Sequence, residues 1–123
     1  MIQISTSNAP KAIGPYSQGY ISNGMVFTSG QIPADPETGA IIGNSIEEQA
    51  ERACKNVVAV LEAGGSSAEK VIKTTCFLAD MNDFAQFNSV YERFFTGKPA
   101  RSCVAVKTLP KNVLCEIEAI AEV

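Results

Sequence analysis

Residues 45–65 carry the pattern that most restricts how this chain can fold. Ser45 and Glu48 make an S-x-x-E capping box, in which each side chain accepts from an orphan amide at a helix start. Ile46, Ala50, Ala53, Val57 and Leu61 then recur at helical spacing and give one apolar face. Gly64-Gly65 closes the segment as glycine commonly closes a helix. A helix with one apolar stripe needs a second layer to cover it. The rest of the chain must supply that layer.

It does so mostly as strands. Residues 2–5, 18–22 and 25–30 read as strands, and Ser22-Asn23-Gly24 joins the latter two as a hairpin, because Asn-Gly readily takes positive φ. Residues 31–39 hold two prolines and a glycine and read as a loop. Residues 70–79 are rich in β-branched side chains and predict a strand. A second helix is expected over about 82–95. Its stripe of Phe84, Phe87, Tyr91 and Phe94 reads as a core face, and Gly97 and Pro99 end it. In strand 101–107, Arg101 and Cys103 point one way and Ser102 and Val104 the other. In strand 114–122, Glu116, Glu118 and Glu122 share one face, opposite Cys115, Ile117, Ala119 and Ala121. The order β-β-β-α-β-α-β-β predicts an α+β sandwich, a mixed sheet with two helices on one face. The other face must meet solvent or another subunit.

The 123 residues suit one domain spanning 1–123, with 46% hydrophobic content to build its core. So small a subunit leaves much surface unburied, so a water-excluding pocket calls for a partner. Net charge is −3, and the ten Lys and Arg are scattered. That balance argues against nucleic acid, whose affinity comes largely from phosphate neutralisation, and against a charged membrane surface. No run approaches a membrane span, and Met1–Ser5 has no signal-peptide character, so a cytoplasmic location is expected.

Histidine is absent, which removes Ser-His-Asp, Cys-His and histidine-zinc chemistry. Acid and base work must fall to Glu, Asp, Lys, Tyr, Cys or water, which suits a low barrier and careful positioning. The four cysteines, Cys54, Cys76, Cys103 and Cys115, show no CxxC spacing. They read as reduced thiols packed as small hydrophobes.

Several residues are candidates for chemistry. Arg101 opens a strand, and its guanidinium fork matches a carboxylate. Composition alone favours an exposed strand-end arginine in a surface ion pair. Cys103, on the same strand face, lines any pocket that Arg101 lines, but nothing nearby activates it as a nucleophile. Any of the three same-face glutamates, Glu116 among them, can hold a water and relay its proton if it faces a pocket. Tyr16, in the turn Ala12–Gln18, offers a phenol, and Gly30, after Ser29, permits close approach to backbone amides.

Together these segments resemble the RidA family, also called the YjgF family, of enamine/imine deaminases, in its arginine-containing branch. The matching stretches are Ala12–Tyr16, Thr28–Pro33, Val71–Thr75, Pro99–Val104 and Glu116–Ala121, in family order over nearly the whole chain. The resemblance implies a chorismate-mutase-like α+β fold and a homotrimer. Sheets would line an inner barrel, helices would lie outside, and clefts would form between subunits. It places the carboxylate-binding arginine on Arg101, the pocket cysteine on Cys103 and the water-handling glutamate on Glu116. The pocket tyrosine, serine-glycine pair and helix asparagine fall on Tyr16, Ser29, Gly30 and Asn88. Two departures stand out: a short link, Thr96–Ala100, before the arginine, and Cys115 in place of a branched aliphatic residue.

The activity so implied is that of a 2-iminobutanoate/2-iminopropanoate deaminase. Enamines released by pyridoxal-phosphate-dependent dehydratases tautomerise to 2-imino acids, and water converts these to 2-keto acids and ammonia. No cofactor or metal is expected. The partners expected are a small 2-imino or 2-keto acid and further copies of the chain. The alternative is a trimeric small-carboxylate-binding or chaperone-like protein without turnover. A ribonuclease or translation inhibitor, also attached to this family, sits poorly with the acidic charge balance.

Overall fold

A computed structural model describes all residues from Met1 to Val123. The strands are β1 (Ile2–Ile4), β2 (Gly19–Ser22), β3 (Met25–Thr28), β4 (Val71–Leu78), β5 (Ala100–Ala105) and β6 (Cys115–Glu122). Helix α1 (Ile46–Ala63) lies between β3 and β4, and α2 (Phe84–Phe94) between β4 and β5. One six-stranded sheet has the order β1-β2-β3-β6-β4-β5. Only β4 and β5 run parallel. No helix is long and apolar enough to cross a membrane.

Helix α1 begins at the expected capping box. Ser45 Oγ accepts from the Glu48 amide at 3.2 Å, and Glu48 Oε1 accepts from the Ser45 amide at 3.3 Å. Its buried face packs with α2 onto β6 and β3. Cys115, Ile117, Ala119 and Ala121 are the buried residues they meet on β6. Each fully buried branched side chain there, such as Val57 or Leu61, contributes roughly 1.5–3 kcal/mol. On the opposite face the row Tyr20, Phe27, Ile120 runs across β2, β3 and β6, and Phe27 is 41% exposed. That face has no covering layer within the chain.

Three boundaries differ from expectation by two residues. The hairpin turn at Asn23-Gly24 forms with positive φ at both residues, as a tight turn needs. Strand β3, however, leaves the ladder after Thr28. Phe27 lies opposite Ile120, yet Gln31 lies opposite Ile117, so β3 carries one extra residue there. This is a bulge. Thr28 Oγ1 accepts from the Ala119 amide at 3.0 Å in place of the ladder bond. The second helix starts later than 82 because Met81–Asp83 forms a 3-10 turn capped by Asp80. Strand β5 ends at Ala105, two residues short of the expected 107.

The loop after the bulge is tied to α1 by Asn56, which is fully buried. Its Nδ2 donates to the Ile32 carbonyl at 3.0 Å and the Ala34 carbonyl at 2.9 Å. Asn56→Ala strands both carbonyls, so we expect a loss of about 2–4 kcal/mol in urea unfolding. An unchanged midpoint would refute this tie.

Candidate functional site

Arg101 sits on β5, an edge strand, opposite Thr74 of β4. Its side chain therefore lies on the helix-covered side of the sheet, where α2 meets it. Phe84, Asn88 and Tyr91 are spaced by four and three residues and form one stripe of α2. The guanidinium carbon lies 4.8 Å from the Tyr91 ring centroid and 5.4 Å from that of Phe84. Arg101 Nη1 donates to Asn88 Oδ1 at 2.8 Å. The Tyr91 hydroxyl is fixed in turn by Thr74 Oγ1 at 2.6 Å, in a buried contact. The sole ion pair in the chain is Arg93 with Glu51, so Arg101 is not engaged by a carboxylate. A flat cation held by rings and one amide, with its remaining N–H groups free, is arranged to take a carboxylate.

The aromatic stripe expected to be plain core is thus divided. Phe87 and Tyr91 are buried, Phe84 stays partly exposed beside Arg101, and Phe95 joins the core more deeply than Phe94. Cys103 lies on the same side as Arg101, half-buried. Burial pushes its thiol up, with the Arg101 charge working against that shift. It is therefore held as a neutral thiol, which agrees with the absence of an activating neighbour.

Glu116 lies on the other face of the sheet, because Ile117 beside it points into the core. Its carboxylate rests directly over Gly30: a Cβ built there would fall 2.0 Å from Glu116 Oε2. The bulge in β3 is what brings Ser29-Gly30 beneath it. The Ser29 amide donates to the Gln18 carbonyl at 2.8 Å, and the Ser29 hydroxyl to the Ser17 carbonyl. Burial, with a smaller push from Glu118, raises the Glu116 carboxyl above the ordinary glutamate value. That makes it a readier proton acceptor than an ordinary glutamate.

A cavity of about 910 Å³ opens here, with Tyr16, Ser29, Gly30 and Glu116 in its wall. Tyr16 is 54% exposed, and its hydroxyl accepts from the Ile13 amide at 3.3 Å. Gln18, which the sequence did not single out, steadies this wall. Its Nε2 donates to the carbonyls of Thr6, Ala9 and Pro10, and its Oε1 accepts from the Thr6 amide at 2.7 Å.

The sequence-derived residues thus fall into two groups. Tyr16, Ser29, Gly30 and Glu116 meet in one cavity, while Arg101, Cys103 and Asn88 meet against α2. Within one chain the sheet separates the groups. Thr74 and Tyr91 as the support of Arg101, and Gln18, escaped the sequence reading. The one available signal was a polar Asn88 midway between Phe84 and Tyr91. No cluster of three or more His, Cys, Asp or Glu gathers as a metal-binding set.

Gly30→Ala tests the close approach. The backbone at Gly30 does not need positive φ, so the added methyl displaces the Glu116 carboxylate rather than the fold. We expect thermal unfolding within about 1 kcal/mol of wild type and a shifted Glu116 titration by NMR. An unmoved Glu116 resonance contradicts the contact.

Comparison with known proteins identifies the family and the fold. Residues 6–123 match the family described as endoribonuclease L-PSP. The chain is 55% identical over 121 residues to a Lactococcus lactis protein described as a regulator, AldR, covering 98% of this chain and 96% of that one. It is 53% identical over 122 residues to a Salmonella typhimurium 2-iminobutanoate/2-iminopropanoate deaminase, covering 96% and 94%. The crystal structure of Escherichia coli TdcF with bound serine superposes with a TM-score of 0.95 at 49% identity, covering 100% of this chain and 99% of that one. With one sheet, two helices and a family match from residue 6 to the C-terminal residue, this chain belongs to the endoribonuclease L-PSP family, known also as YjgF/RidA.

Proposed function

We propose that this protein hydrolyses small 2-imino acids to 2-keto acids and ammonia, at sites completed between neighbouring copies of the chain in a trimer. The observation that carries this reading is the pinned guanidinium of Arg101, which no carboxylate of its own chain engages. A half-site that binds an anion and a half-site with a proton-handling carboxylate lie on opposite faces of one sheet. They converge only if the Glu116 cavity of one copy meets the Arg101 side of the next. A head-to-tail contact of that kind closes into a ring. The uncovered face carrying Phe27 and Ile120 offers the surface for it.

In the assembled site Arg101 holds the substrate carboxylate with two parallel bonds. Tyr16 and the Ser29-Gly30 segment wall the imine carbon. Glu116 takes a proton from water as its oxygen attacks the C=N carbon, and the imine nitrogen is protonated. The resulting carbinolamine collapses to the keto acid. The departing nitrogen takes up a proton and leaves as ammonia. Holding water and imine in register removes entropy from the barrier, and the reaction is intrinsically easy. The deaminase name of the Salmonella relative and the serine bound by TdcF support a small α-substituted carboxylate as ligand.

The test is to generate imines from serine, threonine and leucine derivatives or with an amino-acid oxidase and follow their disappearance. We expect acceleration over spontaneous hydrolysis. Binding of 2-keto acids without acceleration would favour a small-carboxylate-binding protein without turnover.

A further inference from the structure

We propose that Cys103 and Cys76 form a reversible oxidation site, in which a hydroperoxide converts the two thiols to a disulfide between β5 and β4. Of the four free cysteines, Cys54, Cys76 and Cys115 are wholly buried, and only Cys103 reaches the surface. In the parallel ladder Cys76 is the direct partner of Cys103. Both lie on the same side of the sheet, since Cys76 also partners the core residue Ile117. Neighbouring strands run roughly 4.8 Å apart, inside the approximately 4.4–6.8 Å Cα window of a disulfide.

The pair is nonetheless not built as a structural crosslink. Side chains on parallel strands leave the sheet side by side, so their Cβ atoms stay about as far apart as the strands, just beyond the usual disulfide span. A bond formed there is strained and therefore easily reduced. Such a crosslink forms under oxidant and is undone by small thiols.

The chemistry balances. The Cys103 thiolate attacks the O–O bond, giving a sulfenic acid and the alcohol or water of the reduced peroxide. The Cys76 sulfur then attacks the sulfenic sulfur, the S–S bond forms and water leaves. Two thiols lose two electrons, and the peroxide gains them. Attack begins at Cys103 because it is the accessible thiol. Burial raises both thiols, but the Arg101 charge opposes the rise at Cys103, whereas burial pushes Cys76 up to about 12, so the small thiolate fraction that reacts lies at Cys103. Cys76 is next to the support of the clamp: its Sγ lies 4.0 Å from Thr74 Oγ1, which holds the Tyr91 hydroxyl. Turning Cys76 toward β5 draws it from Thr74 and removes the free thiol beside Arg101.

Hydrogen peroxide followed by intact-mass and peptide mapping tests this. Wild type should lose about 2 Da, yield a Cys76–Cys103 linked peptide and regain its mass with dithiothreitol. Cys76→Val fills a similar volume, so its fold should survive, as circular dichroism can verify. It has no resolving thiol, so its Cys103 should gain two oxygens irreversibly as sulfinic acid. Wild type that accumulates sulfinic acid at Cys103 without the linked peptide overturns the proposal. So does a Cys76→Val protein that still forms a reversible disulfide at Cys103.

Discussion

Arg101→Ala should lower kcat/KM for 2-imino acids by about a thousandfold, while Arg101→Lys should lower it by roughly 10–100-fold. A bidentate pair supplies two charge-assisted bonds of about 1.5–3 kcal/mol each, and each 1.4 kcal/mol is a factor of ten. Lysine keeps the charge but not the fork, and its ammonium cannot lie flat between Asn88 and the rings of Phe84 and Tyr91 as the guanidinium does. The fold should barely notice. Arg101 is on an edge strand and forms no ion pair, so losing its amide bond and ring contact costs about 1 kcal/mol. Steady-state rates beside thermal unfolding separate the two effects. An Arg101→Ala enzyme that clears imines at the wild-type rate removes the clamp from the account.

Glu116→Gln should leave ligand binding in place and lower kcat by about 10²–10⁴, the usual range for a positioned acid or base. Its stability should move the other way. Burial raises the Glu116 carboxyl, so the folded state disfavours the ionised form. That penalty is present above the raised folded value and fades as pH falls toward and below the unfolded one. Glutamine removes the penalty, so the variant should melt at or above the wild-type temperature at neutral pH, with the gap closing in acid. Wild-type activity should decline on acidification at a higher pH than an ordinary glutamate would set. Retained kcat in Glu116→Gln would point to binding without turnover.

Much of the fold was legible because it is written locally. The capping box, the Asn-Gly turn and the alternation of 114–122 are nearest-neighbour patterns, and the structure repeats them almost residue for residue. What stayed hidden depends on partners far along the chain. The bulge that ends β3 at Thr28 exists because Thr28 can answer Ala119, ninety-one residues on. Gly30 marks the end of the strand, but nothing local in Thr28-Ser29-Gly30-Gln31 shows that the ladder breaks two residues earlier. The sequence marks Gly30 as a place of close approach, but what approaches is Glu116, a pairing that needs the sheet. Strand parity put Cys103 with Arg101, and the structure agrees. The same parity says nothing of which sheet face Glu116 shares with which residue of another strand, so the separation of the two half-sites emerged only with the topology. Aromatic residues at helical spacing read as core, which holds for buried Tyr91 but not for Phe84, exposed beside Arg101. Only the register of β5 against β4 shows that Arg101 comes to rest on them.

Those separated half-sites make complementation the most direct measurement of the account. Arg101→Ala and Glu116→Gln, each inactive alone, are co-expressed in equal amounts with distinct tags, and mixed assemblies are verified by native mass spectrometry. If each site takes its arginine from one copy and its glutamate from the next, random mixing pairs two intact partners at about a quarter of the sites. The mixture should then clear imines at about that fraction of the wild-type rate. Mixed assemblies no more active than their parents would contradict a site shared between subunits.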